Sequence, residues 1–178
     1  MVPVCADVVI AALLSLPGQA PPAPVSLSFA DLTRMSWHEL EAVYRAAAPG
    51  DVPSGFVRGR TVYNPCAPLP GPRTHLANAV WKGKHFCPEQ ATLVNQFAGV
   101  RAIRAEIYPG QSLLDGGPAH ILDYADTSLI WRSVRDEMRE VAPGLYVGAM
   151  YIRDCPHPRL KTLFILEACS CTPARGAP

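Results

Sequence analysis

The sequence has almost no net charge, and several motifs of catalysis are missing from it. Its 178 residues include 16 Lys and Arg against 15 Asp and Glu, for a net charge of +1. A general nucleic-acid-binding protein carries a clustered basic excess, so no nucleic-acid partner is expected. The sequence also contains no Gly-x-Ser-x-Gly nucleophile motif and no Gly-rich phosphate loop. Acyl transfer on a nucleophile elbow and nucleotide binding by a phosphate loop are therefore not predicted.

Metal-binding patterns are absent as well. The six cysteines include no C-x-x-C pair, and no two of the five histidines are four residues apart. Cys169-Ser-Cys171 is a C-x-C, but no second pair with zinc spacing accompanies it. The sequence therefore predicts no metal and no cofactor. A disulfide such as Cys66–Cys87 would form only in an oxidising compartment.

The chain also lacks a hydrophobic run long enough to span a bilayer. The apolar segment 8–16 has the length of a secretory h-region, although no Lys or Arg precedes it. Four residues of Pro-rich sequence, 21–24, then read as an extended linker. Residues 1–25 are thus predicted to be a signal peptide or anchor plus a linker, with a packed or disordered extension as the alternative. Export is slightly favoured over a cytoplasmic location, and no stable membrane span is expected.

What remains is dominated by short β-rich runs separated by turn residues, most clearly from residue 119 to residue 167. This spacing is typical of an antiparallel meander that closes into a sandwich or barrel. The fold class predicted is mainly β: a single antiparallel, lipocalin-like barrel over residues 26–168 with one or two short helices, followed by a disordered tail over 169–178. The strands are predicted at 56–63, 92–97, 101–108, 119–124, 134–141, 145–153 and 160–167.

The helices and turns follow from local signals. Ser36-x-x-Glu39 is a capping box that predicts a helix over 36–48, and a second short helix is predicted over 74–81, ended by Gly83. Turns are predicted at 109–110 and 115–118. Lys82 and Lys84, on either side of Gly83, could meet an anion, but the preferred interpretation is a solvated turn.

Residues 128–141 are ambiguous between helix and strand. Apolar side chains at 130, 134, 138 and 141 fit a helical stripe, whereas the local charges also fit a barrel strand. The strand is preferred because Pro143-Gly144 then turns the chain into the run 145–153. Gly144 is expected at positive φ, where only glycine is free of strain.

Several segments resemble a group of uncharacterised small bacterial proteins. They are Trp81-Lys82-Gly83-Lys84-His85-Phe86, the Asp123-Tyr124 pair, and the run from Val134 through Gly148. That group is in turn similar to lipocalin-like, or calycin, barrels such as the GXWXG domain. This chain has Gly55-Phe56-Val57 where a Gly-x-Trp would stand. The resemblance implies a closed antiparallel barrel with a helix across its mouth, and it implies no activity.

The candidate site residues come from the aromatic content and from the charge cluster at 132–140. A cavity, if present, is predicted to be lined by Trp81, Tyr124, Tyr146 and Met150, with Arg135 as the charged contact. Because Arg can hold a carboxylate at two points, the ligand would be a small hydrophobic molecule that can be acidic. Weak catalytic candidates are Asp136 and Asp123; the alternative for the whole cluster is an ion-pair network between strands.

Three functions remain open at this point. The first is a monomeric barrel that binds a small apolar molecule. The second is a small barrel enzyme, such as an isomerase or cyclase, that uses acid–base chemistry on a hydrophobic substrate. The third is a structural or interaction protein whose barrel is filled by its own side chains. An inward-facing and mutually close Arg135, Asp136 and Tyr124 would favour the second function. An apolar cavity with no convergent polar groups would favour the first, and the absence of a cavity would favour the third.

Overall fold

A computed structural model describes residues 27–154 and 156–168 of the chain. Within them, eight antiparallel strands form a closed barrel in which each strand pairs with the next and the last pairs with the first. The predicted fold class is therefore confirmed, and a barrel of this size is compatible with a monomer. The strands are β1 (Gly55–Tyr63), β2 (Trp81–Cys87), β3 (Thr92–Phe97), β4 (Val100–Gln111), β5 (Pro118–Asp123), β6 (Val134–Ala142), β7 (Leu145–Ile152) and β8 (Arg159–Ala168).

Three short helices and one 3-10 turn accompany the barrel. They are α1 (Phe29–Arg34), α2 (Trp37–Ala46), α3 (Pro70–Val80) and the turn Pro88–Gln90. The capping box predicted at Ser36 and Glu39 is present at the start of α2, and Ser28 forms another with Asp31 at the start of α1. Because these caps satisfy free N–H groups at each helix start, they fix where α1 and α2 begin.

The up-and-down order places the connections alternately at the two ends of the barrel. We call the end with connections 64–80, 98–99, 124–133 and 153–158 the mouth end, and the other the base end. Helix α3 is the β1–β2 connection and therefore lies at the mouth end. The tight turn of Pro143-Gly144 lies at the base end. This division determines which loops surround the cavity described below.

Two apolar cores lie on opposite faces of the sheet. The interior core fills the base half of the barrel with side chains such as Phe86, Leu93 and Met138. The outer core packs Leu40 and Tyr44 of the α1–α2 segment against the outside of β7 and β8. Strands covered on both faces lose the polar–apolar alternation of a half-exposed strand, which explains the nearly continuous burial of β7.

The predicted hairpin at 143–144 is confirmed. Strand β6 pairs with β7 along its length, and Gly144 has φ +71°. The helical spacing of apolar residues in 128–141 does not correspond to a helix, and the preferred strand is present as β6. Because β6 is covered on both faces, its apolar residues need not follow a single spacing.

Other local predictions are corrected by the barrel. Strand β2 was not predicted as a strand, and Gly83 lies inside it at a register shift instead of ending a helix. Helix α3 begins at Pro70, earlier than predicted, and α1 was not predicted. Pro109-Gly110 is not a turn, because β4 continues to Gln111.

The disulfide considered between Cys66 and Cys87 is also corrected. Both residues are exposed free thiols. Cys66 lies in the mouth-end connection and Cys87 at the base end of β2, so the barrel separates them. The predictions for residues 1–25 and for the tail 169–178 concern segments outside the described residues. Among those described, no helix has the length and apolar character required to cross a membrane.

Candidate functional site

The mouth half of the barrel contains a cavity of about 220 Å³. Helix α3 contributes Ala77 and Val80 to its wall, and the 124–133 connection contributes Trp131. The remaining lining comes from the strands, which contribute four aromatic side chains, Tyr63, Trp81, Phe97 and Phe164. The full lining comprises Thr61, Tyr63, Ala77, Val80, Trp81, Lys84, Asn95, Phe97, Trp131, Asp136, Met150, Thr162 and Phe164.

Two glycines shape the walls around this cavity. A Cβ on Gly59 would lie 2.4 Å from the ring of Trp81, and one on Gly148 would lie 2.2 Å from the ring of Phe164. Each glycine therefore gives an aromatic ring the space it occupies on the inside of the barrel. For Gly59 this close approach is the physical reason for a glycine within a strand.

A buried polar cluster forms the floor of the cavity and separates it from the interior core. Lys84 lies at its centre with 2% of its side chain exposed. Its Nζ donates to Asp136 Oδ2 at 2.9 Å, to Tyr124 Oη at 2.7 Å and to Asn95 Oδ1 at 3.1 Å. An ammonium group has three N–H donors, so every donor of Lys84 is already used.

The other members of the floor are almost fully bonded too. Asn95 accepts from Trp81 Nε1 at 3.0 Å and donates to Tyr124 Oη at 3.1 Å and to the Ile103 carbonyl at 3.0 Å. Tyr124 donates its own proton to Asp136 Oδ2 at 3.0 Å. Burial, together with the nearby Asp136 carboxylate, raises the pKa of Tyr124 well above its usual range, so the phenol stays protonated.

One polar atom of the floor has no partner among the described residues. It is Oδ1 of Asp136, whose side chain is only 4% exposed and lines the cavity. Buried carboxylate oxygens are normally hydrogen-bonded, because an unmet acceptor costs about 1–3 kcal/mol or more. The floor of the cavity therefore presents a single unfilled acceptor beneath apolar walls.

Arg135, predicted as the charged contact of a cavity ligand, is not among the residues that line the cavity. Neighbouring residues of a strand point to opposite faces, so Arg135 faces outward when Asp136 faces inward. It donates to Glu137 Oε2 at 2.9 Å and to the Gln111 carbonyl at 2.7 Å. Glu137 is itself buried beneath α2, where it also accepts from Tyr44 at 3.1 Å. This part of the charge cluster matches the ion-pair network that was the alternative interpretation.

The other predicted site residues are divided between the two halves of the barrel. Trp81 and Met150 line the cavity, and Tyr124 belongs to its floor. Tyr146 is inside the barrel, but it lies towards the base end and donates to the Asp51 carbonyl at 3.0 Å. It is not part of the cavity wall.

The two catalytic candidates also separate. Asp136 is in the cavity floor, whereas Asp123 lies outside the cavity and forms a two-point pair with Arg153 at 2.6 and 2.8 Å. Burial raises the pKa of Asp123, but the bonds from Arg153, the Ala125 amide and Tyr108 outweigh this and hold it below the usual range. The carboxylate of Asp123 therefore already has structural hydrogen-bond partners outside the cavity.

Sequence reasoning missed Lys84 and Asn95 as site residues. Lys84 was assigned to a solvated turn because Gly83 was read as a helix end. Phe86, two residues after Lys84, could have indicated the position of Lys84. In a strand, two residues that far apart lie on the same face, so Lys84 faces inward with Phe86. Asn95 shows the same pattern in β3, because it is two residues from both Leu93 and Phe97 and shares their face of the strand.

Fold and cavity together define a small antiparallel barrel that is filled in one half and hollow in the other. A scan of protein-family models and a search of curated proteins found no match to the chain. A solved crystal structure of a protein from Thermomonospora curvata is similar, with 18% sequence identity and a TM-score of 0.49. The similarity covers 76% of this chain and 89% of that one.

Proposed function

We propose that this barrel binds a small, mostly apolar molecule that carries one hydrogen-bond donor, such as a hydroxyl or an amine. The observation that carries the proposal is the unpartnered Oδ1 of Asp136 at the floor of an aromatic-lined cavity. Ligand pockets commonly combine apolar walls with a few placed polar groups. At about 220 Å³ the cavity is smaller than the roughly 300–1,000 Å³ of drug-sized pockets, which favours a small ligand.

The polar groups of the cavity floor favour a ligand with a hydrogen-bond donor over a ligand with a carboxylate. A carboxylate ligand would need a free N–H donor, but all three donors of Lys84 already have acceptors. It would also bring a negative charge against Asp136. A hydroxyl or amine group instead supplies the proton that Oδ1 lacks, without breaking any bond of the cluster. The acidic ligand considered from the sequence depended on Arg135, which is on the outer face.

A matched probe series tests this proposal. Naphthalene, 2-naphthol and 2-naphthoate share an apolar body and differ in their polar group. Their binding is measured by the change in Trp131 and Trp81 fluorescence in the cavity wall. We expect 2-naphthol to bind about tenfold or more tightly than naphthalene, in line with about 1.4 kcal/mol for one satisfied buried bond, and naphthoate to bind most weakly.

Two double variants test whether the preference for 2-naphthol depends on the cavity floor. In the double variant Lys84→Met with Asp136→Leu, both buried charges are removed together, and 2-naphthol should lose its advantage over naphthalene. The matched control is Arg159→Met with Asp154→Leu, an exposed pair that does not line the cavity, which should retain it. Equal binding of naphthol and naphthalene by the unaltered protein, or tightest binding of naphthoate, would contradict the proposal. Native mass spectrometry of protein purified from its own host would then identify the bound molecule.

A second candidate, acid–base catalysis, is favoured by one specific observation. Lys84 and Tyr124 both bind the same oxygen of Asp136, which leaves the other oxygen free to accept a proton from a substrate. A test is deuterium exchange of the acidic C–H groups of 2-tetralone in the presence of the protein. Exchange that is faster than in buffer, and lost in the double variant, would support catalysis. Binding without exchange would leave the carrier function.

A further inference from the structure

The exposed apolar side chains of the barrel are concentrated at the mouth end. Leu129 and Ile130 are 92% and 84% exposed in the 124–133 connection, and Val100 is 63% exposed beside the 98–99 turn. The 64–80 connection contributes three more, at Leu69 just before α3 and at Leu76 and Val80 within it. Only Tyr108 and Leu113 among the exposed large hydrophobic residues of the described chain lie elsewhere.

Several of these side chains are next to residues that line the cavity. The neighbouring residues Val80, Phe97 and Trp131 line its wall, and Phe97 packs edge-on against Trp131 at 5.8 Å between ring centroids. The Ala98 amide donates to the Val80 carbonyl at 2.8 Å, which joins the 98–99 turn to the end of α3. We call this surface the apolar rim: Leu69, Leu76, Val80, Val100, Leu129 and Ile130.

The rim is flanked by basic residues. Arg73, Lys82, Arg101 and Arg132 are exposed and adjacent to it, and within residues 27–154 and 156–168 none of them forms an ion pair. Among the described residues of the four mouth-end connections, the acidic ones are Asp126 and Asp154, and Asp154 is paired with Arg159. The near-neutral chain therefore concentrates positive charge at one end, around an exposed apolar surface.

We infer that the mouth end docks onto an anionic membrane surface, with the rim residues inserted between lipid headgroups. Exposed aliphatic side chains surrounded by Lys and Arg are the composition that binds an interface of anionic lipids. The rim comes from two connections and from the start of β4, all at one end of the barrel, which suits a flat surface better than a single peptide. A second copy of the chain is a poorer partner, because a symmetric contact of two rims would bring their basic residues together.

Docking in this orientation would place the opening of the cavity against the membrane. An apolar ligand could then move between bilayer and barrel without crossing water. This consequence rests on the proposed function, whereas docking itself does not. The two are separable, since a change in the cavity floor should leave docking intact.

Vesicle flotation of the full chain tests the inference. Vesicles of phosphatidylcholine alone are compared with an equimolar mixture of phosphatidylcholine and phosphatidylglycerol. We expect binding to the anionic vesicles, weakened at least about tenfold when ionic strength rises from about 0.1 M to about 1 M, because the Debye length falls from about 10 Å to about 3 Å. Brominated lipids should quench Trp131 on binding.

Two surface variants and two matched controls assign the effect to the rim. Leu129→Ser with Ile130→Ser should weaken binding about tenfold or more, since two exposed side chains no longer enter the interface. Arg101→Glu with Arg132→Glu should remove the preference for anionic lipid. Leu113→Ser at the base end and Arg34→Glu on α1, 77% exposed, should bind like the unaltered protein.

Three outcomes would overturn the inference. They are no binding to either vesicle, equal loss in the rim variants and the controls, or dimers in sedimentation that dissociate in the Leu129→Ser, Ile130→Ser variant and bind no lipid. The third would assign the rim to a second copy. The double variant Lys84→Met with Asp136→Leu should still float with anionic vesicles, so failure of ligand binding and failure of docking give different results.

Discussion

Lys84 and Asp136 form an ion pair inside the barrel, with 2.9 Å between Nζ and Oδ2 and both side chains almost fully buried. Lys84 reaches it from β2 and Asp136 from β6, so the bond crosses the interior. Taking two charges out of water is costly, and a buried pair persists only where further hydrogen bonds support it. Tyr124 and Asn95 supply that support here.

Breaking this pair from one side should be strongly destabilising. Lys84→Met or Asp136→Leu alone should lower the free energy of unfolding by about 3–5 kcal/mol, because each leaves an uncompensated buried charge. The double variant Lys84→Met with Asp136→Leu should cost less than the sum of the singles. Urea unfolding of all three proteins measures the coupling.

The control for this cycle is the exposed pair of Arg159 and Asp154. Its coupling should be about 0–1 kcal/mol, since water screens exposed charges. Strict additivity at Lys84 and Asp136 would mean that the two side chains do not stabilise each other.

The carboxylate of Glu137 should be essential for the packing of α2. It accepts four bonds, from Tyr44, Ser112, the Leu113 amide and Arg135, and is fully buried. Glu137→Gln should therefore cost about 3 kcal/mol or more in urea unfolding, because a buried pair is broken and one amide N–H₂ faces donors.

The same substitution on the helix surface is the control for that prediction. Glu41→Gln, at an i,i+4 pair with Arg45, should cost no more than about 0.5 kcal/mol. If the two variants unfolded at the same urea concentration, the network beneath α2 would not be an important source of stability.

The pairing of Asp115 with Arg139 should make the folded protein less stable in acid. The two-point bond from Arg139 lowers its pKa from 3.8 to about 2. A lowered folded-state pKa means that the contribution is complete above pH 3.8 and is lost as the pH falls towards 2. After allowance for screening by solvent, the loss should be about 1 kcal/mol.

Thermal unfolding of the unaltered protein and of Asp115→Asn between pH 5 and pH 2 measures this effect, since that range spans the shift from 3.8 to about 2. The difference in stability between the two proteins should shrink as the pH falls. A difference that stays constant through this range would contradict the assignment of the pKa shift to Arg139.

Gly148 should tolerate no side chain. A Cβ there would lie 2.2 Å from the Phe164 ring and 2.6 Å from the Glu137 carbonyl oxygen. Gly148→Ala should therefore destabilise by about 1–3 kcal/mol or more through overpacking, with partial recovery when Phe164→Leu is added. The matched control is Gly71→Ala in α3, where nothing lies within 4 Å and stability should be unchanged or slightly raised. Equal melting temperatures for the two alanine variants would count against this account.

The sequence by itself determined the β-barrel, the α2 cap and the hairpin at Gly144. These features depend on neighbours within a few residues: turn residues, strand propensity and a capping box. The cavity floor could not be read in this way. Lys84, Asn95, Tyr124 and Asp136 are separated along the chain and meet only when eight strands close.

Tertiary structure also decided which charges face inward. A one-residue difference in register exchanges the two faces of a strand, so the choice between Arg135 and Asp136 required the pairing of β6 with its neighbours. Helices packed on the outside of the sheet erased the alternation that would have revealed it, because β6 is buried on both faces. Strand propensity is a local property of the chain, whereas the inward face of a strand is fixed only by closure of the barrel.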